Sequence, residues 1–149
     1  MKNKFLNLFI IILLLTMSMI GCVSLEENTP SNESNLLEEN GRYTDPYDVA
    51  EYIYTYNKLP VNFITKKEAV ELGWDSDRGN LWEVTDEMSI GGDYFGNREG
   101  KLPKKEGRKW FECDVNYSGG YRGEERIVYS NDGLIYYTDD HYETFKQIY

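Results

Sequence analysis

Asn131-Asp132-Gly133 stands between two runs rich in β-branched and aromatic side chains, 127–130 and 134–137. Asn, Asp and Gly tolerate the positive φ of a tight turn, so these residues predict a hairpin with a short connection. The same texture extends upstream. Gly91-Gly92, Gly100 and Gly119-Gly120 interrupt short strand-like runs, as turns interrupt an antiparallel sheet. Within 109–115 the side chains alternate. Phe111, Cys113 and Val115 face one way, and Trp110, Glu112 and Asp114 the other. Glu112 is therefore directed away from the face that Cys113 and Val115 offer to a core.

The earlier part of the domain has a helical period. Pro46 suits the first turn of a helix. Val49, Ile53 and Tyr56, with Tyr52 beside them, then form one face as far as Asn57, and Lys58-Leu59-Pro60 ends it. Thr65-Lys66-Lys67-Glu68 has capping-box spacing, which predicts a second helix through Leu72 that stops at Gly73. Asn80 is placed to cap a third, short helix through Val84. Helices first and antiparallel strands after imply an α+β domain.

The amino end has another character. Lys2 and Lys4 precede an almost wholly apolar run, 5–15, followed by small residues. This reads as a secretory signal whose apolar core is short for a membrane span. Ile20-Gly21-Cys22 looks like the end of a lipobox, with Met19 standing where Leu is usual. Lipidation would make Cys22 the first mature residue; cleavage nearby with Cys22 incidental is the alternative. The expected organisation is a signal peptide over 1–21, a disordered acidic tether over 22–46, and a domain over 47–149. Cys113, the other cysteine, reads as a buried structural thiol. With Cys22 lipidated no disulfide forms within the chain, and the domain must rest on its hydrophobic core; a Cys22–Cys113 disulfide, tying the tail to a core strand, is the weaker option.

Candidate chemistry gathers between 108 and 141. Glu112 lies on a strand-like run, Arg122 and Arg126 are four apart, and His141 is the only histidine. A carboxylate can take a proton from an attacking hydroxyl. Arginines can clamp phosphate oxygens and neutralise developing charge. An imidazole can protonate a departing oxygen near neutral pH. Taken singly, each has an ordinary reading: a strand glutamate facing water, a salt-bridged arginine pair, a surface histidine. No His/Cys metal cluster and no phosphate-loop motif is present in the sequence.

The wording around these residues adds to them. IGGDYFGNREGKLP (90–103), WFECDVNY, YRGEERIVYS, DDHYETF and the upstream TYNKLPVNFITKKEAVELGW together resemble the secreted bacterial guanyl-specific ribonucleases, the barnase family. The resemblance covers the whole globular part, with several motifs in the right order. It implies helices packed on one face of a five-stranded antiparallel sheet. It also implies that Glu112 is the general base, His141 the general acid, Arg122 and Arg126 the phosphate-binding arginines, and Lys66 an aid to the transition state. Read alone, Lys66 is a solvated first-turn lysine, ill-matched to the helix dipole.

Guanine recognition is implied for Phe95, Gly96, Asn97, Arg98 and Glu99. A glutamate can accept from N1–H and N2–H of the base while backbone amides near Asn97 and Arg98 donate to O6. Tyr142 is expected to stack on the base, and Asp93 and Arg108 to support the site. Gly96 stands where the close family has Ser, and Gly133 where it has Trp. The charge also departs from the family. From residue 47 on, 13 Lys and Arg stand against 20 Asp and Glu, a net of −7. Such enzymes are usually basic, which favours RNA association.

The leading expectation is a metal-independent, cofactor-free endoribonuclease, exported and tethered, monomeric, acting on single-stranded RNA. It would cut 3′ of guanosine through a 2′,3′-cyclic phosphate. A barstar-like protein inhibitor is the partner that the resemblance implies. Two other readings stay open at this point: a catalytically weak RNA- or nucleotide-binding lipoprotein on the same fold, and a surface lipoprotein that binds protein or glycan through its tyrosines.

Overall fold

The computed structural model describes residues 37–149. The signal peptide, Cys22 and most of the expected tether lie outside the described residues. Helix α1 spans Pro46–Tyr56. Asp45 caps it by accepting from the backbone N–H of Tyr47 and Asp48, and Asn57 closes it in the left-handed conformation. Its buried side includes Val49, Ala50, Tyr52 and Ile53, the face expected from the period. Helix α2 spans Lys66–Glu71 with the capping box of Thr65 and Glu68 formed in both directions. Gly73 follows at φ +99°, where a residue with a Cβ would be strained. Helix α3 spans Leu81–Val84. Asn80 precedes it but makes no side-chain cap. Its amide instead accepts from Asp75 N–H at 2.8 Å and donates to the Gly73 carbonyl at 3.1 Å. It braces the loop between two helices, a use that only tertiary packing sets.

Six strands form one sheet in sequential order: β1 Phe63–Ile64, β2 Ser89–Phe95, β3 Trp110–Asp114, β4 Arg126–Ser130, β5 Ile135–Thr138 and β6 Lys146–Gln147. The expected count was five, all antiparallel. The pairings from β2 to β6 are antiparallel, but β1 is a two-residue strand parallel to β2. A parallel neighbour needs a crossover, and α2 with α3 supplies it. The hairpin at 131–133 forms as expected, with Gly133 at φ +96°.

Both faces of the sheet are covered. On one, Val49, Ala50 and Ile53 pack against Cys113, Val115, Ile127 and Ile135. Cys113 is free and buried, and burial pushes its thiol well above the ordinary value. On the other, Leu102, Trp110, Val128 and Tyr136 form a second apolar cluster, with Phe95, Tyr142 and Phe145 against it. The strand alternation holds, yet the Glu112 face is not open to water.

The β2–β3 pairing slips between Gly91 and Asp93, and Gly92 takes φ +92°. At Gly91 a Cβ would stand 2.6 Å from that of Cys113 and 2.7 Å from the Phe63 ring, so only glycine allows the approach. Beyond this bulge Asp93 pairs with Glu112.

The described end of the expected tether, Leu37 to Asp45, is fastened to the domain. Asn62, 1% exposed, donates to the Tyr43 carbonyl at 2.9 Å and accepts from its N–H at 3.1 Å. Tyr56 donates to the Leu37 carbonyl at 2.6 Å, Tyr52 to that of Glu39, and Asn116 N–H to that of Thr44 at 2.7 Å. Polar composition reads as disorder in a sequence, but here the backbone of the polar segment satisfies buried side chains.

Candidate active site

Strand β3 places Glu112 and Asp114 on one face, two residues apart. Glu112 is 7% exposed. Lys66 Nζ donates to its Oε1 at 2.7 Å, and the Tyr142 hydroxyl donates to its Oε2 at 2.8 Å. Both carboxylate oxygens are thus held by side chains that come from far along the chain. Lys66 opens α2, and its backbone N–H donates to Asp93 Oδ2 at 2.9 Å. Asp93 therefore anchors the helix start that aims Lys66 at Glu112. The expectation of a supporting residue at Asp93 has this physical content.

Asp114, 1% exposed, organises the arginines. Arg122 donates to it through Nε and Nη2, both at 2.6 Å. Arg126 lies directly across in the β3–β4 register, and its Nε is 2.9 Å from Asp114 Oδ1. That N–H is not aligned for a hydrogen bond, so the contact is an ion pair. Arg126 Nη1 donates instead to the carbonyls of Gly123 at 2.9 Å and Glu125 at 2.7 Å. A buried Arg126 and a half-buried Arg122 are tolerated here because one carboxylate and two carbonyls face them. The remaining amino group of Arg122, Nη1, has no hydrogen-bond partner among the described residues and can meet an anion. Sequence reasoning named the arginines and passed over Asp114. Its position on the Glu112 face was visible; its pairing required the register.

The loop after β5 carries His141 and Tyr142, both in the left-handed region, at φ +52° and +74°. Two successive non-glycine residues there are strained, and Asp140 holds the turn. It accepts from the Thr144 hydroxyl at 2.6 Å, from Thr144 N–H at 2.9 Å and from the Thr138 hydroxyl at 2.9 Å. These bonds, Thr144's first, lower its carboxyl to about 2. Thr138 also accepts from Tyr142 N–H at 3.0 Å. His141 is exposed, and its ring lies 4.9 Å from that of Tyr142. Burial, then the facing Glu112 carboxylate, push the Tyr142 phenol upward. Its ring stacks on Phe95 at 5.2 Å. The expected stacking on a substrate base thus starts from a ring already engaged with Phe95 and Glu112.

Phe95, Gly96, Asn97, Arg98 and Glu99 line a groove of about 640 Å³ together with His141 and Tyr142. The Asn97 side chain does not point at a ligand. It donates to the Leu102 carbonyl at 2.9 Å and accepts from Leu102 N–H at 3.0 Å, so it closes the loop on itself. The backbone N–H groups of Asn97, Arg98 and Glu99 have no acceptor among the described residues, so they are free to donate. Lys101, which sequence reasoning did not single out, bridges the two walls. It pairs with Glu99 at 2.8 Å and Glu143 at 3.3 Å and donates to the Tyr142 carbonyl at 2.9 Å.

Arg108 is fully occupied elsewhere. It binds Asp132 through Nε and Nη2, both at 2.8 Å, donates to the Pro103 carbonyl, and lies over the Trp110 ring. Its charge is spent on tying the loop before β3 to the hairpin.

A family model described as ribonuclease matches residues 47–149. A ribonuclease of Heyndrickxia coagulans is 55% identical over 100 residues, 67% of this chain and 92% of that protein. A ribonuclease of Bacillus intermedius is 55% identical over 100 residues, and there the chain spans 62% of the relative's length. A guanyl-specific ribonuclease St of Saccharopolyspora erythraea is 43% identical over 56 residues, 37% of this chain and 55% of that protein.

Proposed function

The chain belongs to the barnase-like ribonuclease family, and on that premise we propose that it is an exported endoribonuclease that cuts single-stranded RNA after guanosine without a metal. The observation that carries the reading is the Glu112 carboxylate held by Lys66 and Tyr142, two residues from the Asp114 that holds Arg122 and Arg126. A base and a cationic phosphate site thus share one strand face.

Glu112 takes the proton of the ribose 2′-hydroxyl, whose oxygen attacks the adjacent phosphorus. The bond from phosphorus to the 5′-oxygen breaks, and His141 protonates that oxygen as it leaves. Arg122, Arg126 and Lys66 offset the charge that builds on the phosphate oxygens. Hydrolysis of the 2′,3′-cyclic phosphate follows, with the roles of Glu112 and His141 exchanged. Guanine preference rests on Glu99, which accepts from N1–H and N2–H, and on the free amides at Asn97 and Arg98, which donate to O6. Export, with anchoring through a lipidated Cys22, belongs to the same proposal; release of a Cys22→Ser variant into the medium is its test.

The deciding assay incubates the protein with single-stranded RNA and EDTA. A 2′,3′-cyclic phosphate is expected after G, with Glu112→Ala and His141→Ala each slower by roughly 10²–10⁴-fold and still folded. Glu99→Gln puts a donor where an acceptor is needed, so it should erase the preference for G more than it slows basal cleavage. Cleavage of DNA, a divalent-metal requirement, or full activity in either alanine variant would overturn the mechanism.

A further inference from the structure

Beside the recognition groove lies a second, smaller hollow of about 260 Å³, lined in part by Tyr94, Lys104, Lys105 and Arg108. None of the roles assigned above uses Tyr94 or Lys104. Tyr94 is 67% exposed, on the part of β2 that β1 no longer covers, since β1 pairs only with Ser89 and Ile90. Its ring is held edge-on against Phe111, at 6.5 Å and 86°, and its hydroxyl has no hydrogen-bond partner among the described residues. Tyr94 lines both this hollow and the recognition groove, so it stands on the ridge between them.

The charge of the hollow is one-sided. Lys105 and Arg108 share the single carboxylate of Asp132. Lys104 has no ion-pair or hydrogen-bond partner among the described residues. Its ammonium lies against the recognition loop, 3.5 Å from where a Cβ on Gly100 would be. A fixed, exposed aromatic face beside a free ammonium and a surplus of positive charge is the pairing that binds an unpaired nucleotide: stacking for the base, a cation for its phosphate.

We propose that Tyr94 and Lys104 form a subsite for one further nucleotide of the RNA strand, outside the dinucleotide that is cut. Tyr94 is its stacking platform and Lys104 its phosphate contact. The proposal rests on the ribonuclease reading and deepens it by assigning part of the substrate's length to named residues. It also gives an acidic enzyme a local hold on RNA that long-range steering does not supply.

The test compares kcat/KM for GpU with that for UpGpU and GpUpU, one nucleotide longer on either side. For wild type, one extension should raise kcat/KM over GpU. For Tyr94→Ala that ratio should fall roughly five- to tenfold, as loss of one stacked base implies, while Tyr94→Phe keeps it. For Lys104→Gln the salt slope on the longer substrate should shrink by about 0.7, the value for one single-strand phosphate contact. An unchanged ratio in Tyr94→Ala, or no gain from either extension in wild type, overturns the subsite. If GpU and both longer substrates go uncut, the ribonuclease reading fails instead. Fluorescence titration with a labelled deoxyoligonucleotide then judges the subsite alone: equal affinity in wild type and Tyr94→Ala would reject it.

Discussion

Asp114 and Glu112 are neighbours on one strand face with opposite tasks. In the proposed mechanism Glu112 exchanges a proton, whereas Asp114 keeps two guanidinium groups in place. Asp114→Asn keeps the shape but removes the charge, leaving Arg126, 3% exposed, and Arg122 facing a neutral amide. Breaking one side of a buried ion pair costs about 3–5 kcal/mol, so urea unfolding should lose stability of that order. Cleavage should fall as well, even where the variant is still folded. A stability loss within 1 kcal/mol would show that solvent already screens the pair. Glu112, Lys66 and the arginines were nominated in the sequence by their resemblance to a known pattern, and the structure gathers them around Glu112 and Asp114. Asp114 was not, since an aspartate on a strand reads the same whether it faces water or two cations. The Tyr142 hydroxyl on Glu112 was hidden for a related reason. It joins residues 30 apart in sequence, and a local period cannot report such a contact.

The loop from Thr138 to Thr144 is the element that aims His141. Its geometry depends on one carboxylate, because Asp140 ties both ends of a turn whose middle has positive φ. Asp140 titrates at about 2, below the ordinary 3.8. A lowered folded value means that its contribution is complete above pH 3.8 and is lost as pH falls through about 2. Carboxyl NMR titration should find the low value in wild type and a rise toward the ordinary one in Thr144→Val. Asp140→Ala should cut kcat/KM roughly ten- to a hundredfold through misplacement of His141. Wild-type turnover in that variant would mean the imidazole finds its position without the turn. Among the other elements, α1, α2 and the hairpin could be read from caps, period and turn residues. Strand β1 could not, because two residues carry no period and its partner in the sheet lies 26 positions further on. Asn80 was misassigned because its side chain satisfies a loop that is visible only once the helices have packed.

For the molecule as a whole, charge is divided by place. Arg98 and Lys101 line the groove, Lys104 lines the hollow beside it, and Lys66, Arg122 and Arg126 gather around Glu112 and Asp114, while Asp48, Glu51, Glu71, Asp75, Asp77 and Glu83 outnumber the basic residues on the helices and the turn between α2 and α3. RNA approaching from a distance meets a net negative body, and salt screens that repulsion along with the attraction at the groove. Activity on long RNA should therefore fall, between 50 and 200 mM salt, by much less than the roughly 10³–10⁵-fold that six to ten phosphate contacts cost. A loss on that scale would show that RNA feels only the groove. The family similarity begins at residue 47, but the described residues from Leu37 on already belong to the compact unit that ends at Tyr149. The carbonyls of Leu37, Glu39 and Tyr43 answer the phenols of Tyr56 and Tyr52 and the amide of Asn62. A protease must break those bonds to seat the segment 37–45 in its cleft, so that segment should resist digestion. An enzyme cut back to residue 47 would have lost its own fastening, and its first helix would be the next segment to be digested.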